Sequence, residues 1–395
     1  MNPLGFFFDV PTYANARLRL GISGVGTFVV LSLVALGIGL PAQLFAHKGG
    51  AFFTNASLIA VWVAGAALLA LPFEMLGGYF LPRKFGRKHP DGLGEWFLIW
   101  LRGVLIVALT MSFSGAIIIV TGRYGGSIGA MIALLVILVL LISLQTWFAK
   151  LIGGLKTVRP TLGLVEDDLR TMGVVTQPIV CVDAQDEGFT GGISGPPTAE
   201  TLVIPSLWFE RMEPESIAVL LARRTAIVDR SLRTLGLIGA MGWTLLTFAL
   251  ATLMPAAGVY SVEQVIGTSL WFTVFSFLGL LILPTPSRAA AIAADAFAAE
   301  TPGNTTRVMA KTIEILDGLQ DDEPSRPDQV ETIFHPIPSV SRRLSALESP
   351  KTDVAPWHIA RTAIYLSIAG MNPLSRLVHC NVGRPELWVF LPADG

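Results

Sequence analysis

Five histidines and two cysteines are the first places to look for metal or nucleophilic chemistry. His47, His89, His335, His358 and His379 include no pair three or four residues apart, so no helix can present two imidazoles on one face. His379 and Cys380 are adjacent and diverge on any regular structure. Cys181 and Cys380 cannot build a disulfide framework and suit a reducing compartment. There is no Gly-x-Ser-x-Gly elbow. The glycine-rich stretch Gly122–Gly129 falls at the boundary of an apolar segment, where a turn explains it. What remains are charges in apolar surroundings: Glu74, Arg102, and the pair inside Leu221-Ala-Arg223-Arg224-Thr-Ala-Ile227.

The elements that must position these residues are membrane helices. The 395-residue chain is 52% apolar and only 14% charged, where soluble domains carry about 25% charge. Its mean hydropathy is +0.61. This excludes a disordered chain, and the net charge of −1 provides no field to attract nucleic acid. Six apolar stretches are long enough to cross a bilayer: Ile22–Ala46, Ala56–Phe80, Trp96–Val120, Gly126–Phe148, Leu235–Ala256 and Val265–Leu283. No basic n-region precedes the first, so no cleaved leader is expected. Nine basic residues (Arg17, Arg19, Arg83, Lys84, Arg87, Lys88, Lys150, Lys156, Arg159) fall on one side, and Lys48 and Arg123 on the other. That bias predicts a multi-pass inner-membrane protein with both termini and its polar centre in the cytoplasm. Glu74 and Arg102 each lie roughly 9 Å from the cytoplasmic ends of antiparallel spans, which predicts an ion pair. Gly21, Gly24 and Gly26, and Gly236 with Ala240, allow close helix approach.

Residues 151–233 change character. Thr161–Met172 is amphipathic. Pro178–Asp183, Gly188–Ile193 and Thr201–Ile204 read as three short strands, the second an edge strand. Glu213-Pro214-Glu215 starts a helix that runs to Asp229, with Pro at a tolerated position and carboxylates at the positive end of the dipole. A membrane hairpin follows, and the chain returns at Arg288. The organisation is therefore a four-span membrane domain (1–150), a cytoplasmic domain (151–348) interrupted by a hairpin at about 235–284, and an extension (349–395). In the extension, Pro356–Ala369 predicts a core or interfacial helix. Pro385–Pro392 predicts a strand or an adhesive extended segment. The fold class is an α-helical polytopic membrane protein of about six spans, with a cytoplasmic α+β domain holding a small β-sheet.

The ordered segments Pro178–Asp183, Glu200–Pro205, Pro214–Val228, the apolar pair, Ser287-Arg288…Ala294-Asp295, and Phe334-His335-Pro336 with Arg342, Arg343, Leu344 and Leu347 resemble the membrane-embedded zinc metallopeptidases of the HtpX and CAAX prenyl protease type. The resemblance implies zinc held by two histidines and a later glutamate, with a glutamate beside the first histidine as general base. Here Arg223 and Arg224 stand at the His-Glu positions, Ile227 at the second His and Ala291 at the later Glu, while Asp295, His335 and Arg342 keep family positions. Arginine has no lone pair to give a metal, and Ile and Ala have no donor atom. The implied protein is a catalytically inactive, metallopeptidase-like member with no catalytic residue, metal or cofactor. Its retained sheet edge would receive extended clients by β-addition. It would act as a scaffold, client-holding or accessory subunit of a membrane assembly. Its partners would be the bilayer, other membrane proteins and homo- or hetero-oligomers, not nucleic acid. A peptidase with a rewired site and a transporter or channel component are the alternatives. Arg223 is expected to meet Asp295, and Arg224 to turn towards Asp229, Glu300 or the groove.

The charge bias predicts that reporter fusions at Lys156 and Lys311 give the same sidedness and that one at Gly258 gives the opposite. Equal readings at Lys156 and Gly258 would refute the arrangement.

Overall fold

The computed structural model describes residues 10–46, 48, 50–160, 162–301, 306–350 and 352–391. His47 and Pro392 lie outside the described residues. Thr12 opens the first helix, its hydroxyl accepting the Asn15 amide at 3.2 Å. Helix α1 runs over Tyr13–Gly37, followed by the short α2 (Leu40–Phe45), α3 (Phe52–Lys84), α4 (Leu93–Ser143) and α5 (Gln145–Gly153). The second half holds α6 (Gly163–Thr171), α7 (Trp208–Arg211), α8 (Pro214–Asp229), α9 (Leu232–Thr252) and α10 (Val262–Ile282). It continues with α11 (Pro284–Ala299), α12 (Thr306–Gln320), α13 (Asp328–Phe334), α14 (Val340–Glu348) and α15 (Ile359–Leu366).

Five helices among the described residues, α1, α3, α4, α9 and α10, are long and apolar enough to cross a membrane. The six apolar stretches of the sequence lie largely within these five, the third and fourth sharing α4. That helix has 51 residues and turns at Gly126, whose φ of 61° and ψ of −154° suit only glycine. Helix α1 begins nine residues before the predicted apolar stretch. Arg17 is therefore not a loop charge but a buried helical residue. It pairs with Asp321 at 3.0 Å and donates to the His379 carbonyl at 3.0 Å.

The sheet has four strands where three were expected: β1 (Lys156–Val158), β2 (Ile179–Asp183), β3 (Gly192–Ser194) and β4 (Thr201–Pro205). Their order is β1-β2-β4-β3, with β2 and β4 parallel and both outer pairs antiparallel. Strand β1 is three residues with a mostly exposed pattern, too short to show alternation. Strands β1 and β3 are the two edges, and β3 covers only the end of the predicted Gly188–Ile193 segment.

Residues 355–391 thread between the long helices. Leu366, Leu374, Leu377, Leu387 and Trp388 are fully buried there. The Tyr365 hydroxyl donates to the Leu141 carbonyl at 2.9 Å, and the Ser269 hydroxyl to the Met371 carbonyl at 2.9 Å. The expected strand at 385–392 is absent from the described residues. Pro385–Leu387 is one 3-10 turn, and the Trp388 indole donates to the Asn381 carbonyl at 3.0 Å. The apolar run there is packed on all sides, not extended along a partner.

Several helix glycines exist for this segment, not for neighbouring spans. A side chain at Gly21 would collide with the His379 backbone, and one at Gly236 with the Trp357 carbonyl. Gly78 sits in a π-helical turn, Leu76–Phe80, against Gly383, whose carbonyl accepts the Trp96 indole N–H at 3.1 Å. Gly24 makes ordinary contacts with Leu377 and Phe73, and Gly26 faces open space.

The same segment overturns the Glu74–Arg102 pair. Glu74 is fully buried. Its carboxylate accepts the Trp100 indole N–H at 2.6 Å and stands 3.4 Å from Arg376 of the C-terminal segment. Trp100 and Arg102 are two residues apart, about 200° round the helix, so the face that meets Glu74 turns Arg102 away. The Arg102 guanidinium instead lies over Gly154. Arg376→Ala should lower stability by about 3–5 kcal/mol by stranding a buried carboxylate. Arg102→Ala should be near neutral. Thermal unfolding of both variants in one detergent checks the contrast.

Candidate functional site

Helix α8 is buried on nearly every face, from Ser216 through Thr225 and at Ile227. It packs on the alanine-rich α11, whose small side chains at Ala290, Ala291, Ala293, Ala294, Ala296 and Ala298 let the two backbones approach. Asp295 of α11 is 1% exposed. Arg223 Nε donates to Asp295 Oδ1 at 2.6 Å, and Arg223 Nη2 reaches the Ala291 carbonyl at 3.4 Å.

A second guanidinium, which the sequence reading passed over, completes the cluster. Arg343 of α14 donates Nε to Asp295 Oδ2 at 2.7 Å and Nη2 to Oδ1 at 2.9 Å, a bidentate pair. Arg342, the residue taken as the family position, points the other way. It is 42% exposed and pairs with Glu331 at 2.8 Å. The signal was present in the spacing: Val340, Arg343 and Leu347 share the buried face of α14. Burial alone would raise the Asp295 carboxyl, but Arg343 and Arg223 together hold it below its ordinary value.

Arg224 turns to the sheet and not to Asp229 or Glu300. Its Nη1 donates to the Val203 carbonyl at 2.7 Å and its Nη2 to the Thr190 carbonyl at 2.6 Å. Its guanidinium lies 4.9 Å from the Trp208 ring centroid. Arg233, at the start of α9, donates to the Ile193 carbonyl at 3.3 Å and to the Gly195 carbonyl at 2.6 Å. Glu200 stands 3.8 Å from it.

These bonds bear on the sheet edge. The Leu202 amide donates towards β2, to the Pro178 carbonyl at 2.8 Å, so Thr201 and Val203 face β3. By the same alternation the peptide groups of Ile193 point away from the sheet. Arg233 therefore holds the outward carbonyl that an added strand would need. Phe390 packs against Gly192 and Phe189, and Gln145 donates to the Val389 carbonyl at 3.4 Å. The edge expected to stay open for a client is covered by this chain's own residues.

His335 is buried with its ring 4.9 Å from that of His379. Burial, then His379 and Arg326, hold the His335 imidazole well below its usual value. Its carbonyl, with those of Glu331 and Thr332, accepts from Arg288 Nη1 at 3.0, 3.1 and 2.8 Å, so Arg288 caps the end of α13. Sequence spacing could not reveal the two imidazoles, because 44 residues separate them.

No family model matches the sequence, and no curated relative does. The fold resembles that of Ste24p. The crystal structure of Ste24p from S. mikatae superposes with a TM-score of 0.64 at 15% identity, covering 85% of this chain and 83% of that one. The architecture is thus a Ste24-like membrane metallopeptidase fold. The sequence led to the expectation that the chain is not an enzyme. The likeness to Ste24p overturns that expectation, since the frame is that of a membrane protease.

The zinc that such a fold implies does not suit the residues at the positions that the sequence resemblance assigns to it. Arg223 and Arg224 carry fixed charge and no lone pair, and Ile227 and Ala291 have no donor. Among the described residues no group of three His, Cys, Asp or Glu stands together as a metal site. What the arrangement offers is a cross-link of three helices, α8, α11 and α14, through one carboxylate.

The bond pattern fixes an order of sensitivities. Asp295→Ala leaves two buried guanidiniums without their acceptor and should cost about 3–5 kcal/mol. Arg343→Ala should cost less, and Arg223→Ala least, because the bidentate Arg343 still satisfies the carboxylate. Arg342→Ala should cost under about 1 kcal/mol. Because the Asp295 pKa is lowered on folding, its contribution is present above the unfolded carboxylate range and is lost as pH falls through the folded value. Asp295→Asn should therefore flatten the acid limb of the stability profile. Unfolding of each variant across pH 3–7 checks both statements.

Proposed function

We propose that the protein is a scaffold or accessory subunit of a membrane protein assembly, built on the Ste24-like frame. It sits in the cytoplasmic membrane with its sheet domain and both termini on the cytoplasmic side. The observation that carries this reading is the arginine cross-link at the site. Asp295 is shared by Arg223 and Arg343, while Arg224 and Arg233 fix the sheet backbone, so the groups at the centre are joined to each other and to the main chain. Such a centre suits a rigid platform. Other membrane proteins, further copies of the chain and the bilayer are the partners in this reading. The covered edge of β3 argues for contact through the helix surface and not through strand addition at β3.

A peptidase with a rewired site is the second reading, favoured by the fold shared with Ste24p. Purification of the chain at native expression level, with crosslinking before solubilisation, separates the two. The first reading expects a membrane protein co-purifying in fixed ratio. A chain that runs alone as a monomer, or that hydrolyses added peptides with activity lost in Asp295→Asn, would overturn it.

A further inference from the structure

Arg361 is the exception among the buried arginines. It is only 8% exposed, yet its Nε and Nη1 have no hydrogen-bond partner among the described residues. It stands in the first turn of α15 and lines a cavity of about 310 Å³ together with His379 and Cys380. That volume is within the range of small-molecule sites. The remaining walls are apolar: Leu18, Ile22 and Val25 of α1, and Phe277, Leu280 and Leu281 of α10. Ile22 and Leu281 are 44% and 40% exposed, so the cavity opens on the outer surface of the long helices. Pro284, Phe334 and Pro336 also line it.

We propose that this cavity binds an anionic membrane lipid, with an acyl chain between α1 and α10 and the phosphate at Arg361. A guanidinium held out of water without an acceptor is costly, and a phosphate is its natural bidentate partner. The apolar walls choose the source of that phosphate. A free anion would satisfy Arg361 but leave the apolar walls of α1 and α10 bare. The charges around Arg361 choose the headgroup. Arg17 and Arg326 stand near it, but both are already matched: Asp321 pairs them at 3.0 and 3.3 Å, and Glu323 and Asp317 stand 3.0 and 3.8 Å from Arg326. The charge left without a carboxylate is that of Arg361 itself, and it disfavours a headgroup carrying its own cation. Gly26 lines the cavity, and a side chain built there meets nothing within 4 Å, so the space can be filled without disturbing the fold.

The test is native mass spectrometry on delipidated full-length protein, titrated with phosphatidylglycerol or phosphatidylcholine of the same acyl chains. One phosphatidylglycerol per chain should be retained, about tenfold more tightly than phosphatidylcholine, as one charge-assisted contact implies. Arg361→Gln should abolish the preference, Arg361→Lys should keep most of it, and Gly26→Phe should exclude both lipids without lowering the melting temperature. Equal affinity for the two lipids would overturn the proposal. So would retention unchanged in Arg361→Gln and in Gly26→Phe. If inorganic phosphate alone raises the melting temperature as much as phosphatidylglycerol does, the site takes free anions and the lipid assignment fails.

Discussion

An arginine taken out of water keeps its charge and all five of its N–H donors, so its surroundings must supply acceptors. Nine arginines are buried among the described residues, and the protein is arranged around finding partners for them. Six of them stand beside carboxylates, and main-chain carbonyls supply much of the rest. Arg224, Arg233 and Arg288 donate to backbone carbonyls of the sheet, its edge and a helix end. Arg17 divides its donors between Asp321 and the His379 carbonyl. Each bond to a main-chain oxygen fixes a loop or strand terminus that would otherwise be held only by packing. The guanidiniums thus act as hydrogen-bonding cross-links between elements far apart in the chain.

The centre of the Ste24-like frame shows the same principle at its tightest. In that frame a metal would tie helices together through several ligands. Here one carboxylate ties three helices through two cations. The two solutions share a mechanical result and differ in chemistry, because a guanidinium offers only donors. With one negative and two positive charges the cluster keeps a net positive charge, and the carbonyl of Ala291 is the further acceptor that Arg223 approaches.

The long apolar stretches, the strand order along the chain and the α8 start at Pro214 were legible, because each rests on local pattern: length, β-branching, a proline at a helix start. The Arg223–Asp295 contact was approachable from i, i+4 geometry and the resemblance. Arg343 was passed over in favour of its neighbour, although Val340 and Leu347 mark its face as the buried one. Glu74 was assigned the wrong partner for a different reason. Equal depth in two helices says nothing about a third segment that enters from 300 residues away, and Arg376 does so. The C-terminal run was least legible. Pro-Glu-Leu-Trp-Val-Phe-Leu has strand composition, but its side chains point into a cavity walled by helices, where composition sets burial and not backbone shape.

The interior filling at 355–391 also comes after every long helix in chain order. Every long helix that it packs against is synthesised and delivered to the bilayer before it exists. Until it arrives, Gly21, Gly78 and Gly236 face an unfilled space, and Glu74 waits without its cation. Assembly of the helices must therefore pass through an open intermediate of high contact order, which closes only once residues 355–391 have been made. A nascent chain that stalls late is then a set of inserted helices with no centre, a natural substrate for membrane quality control.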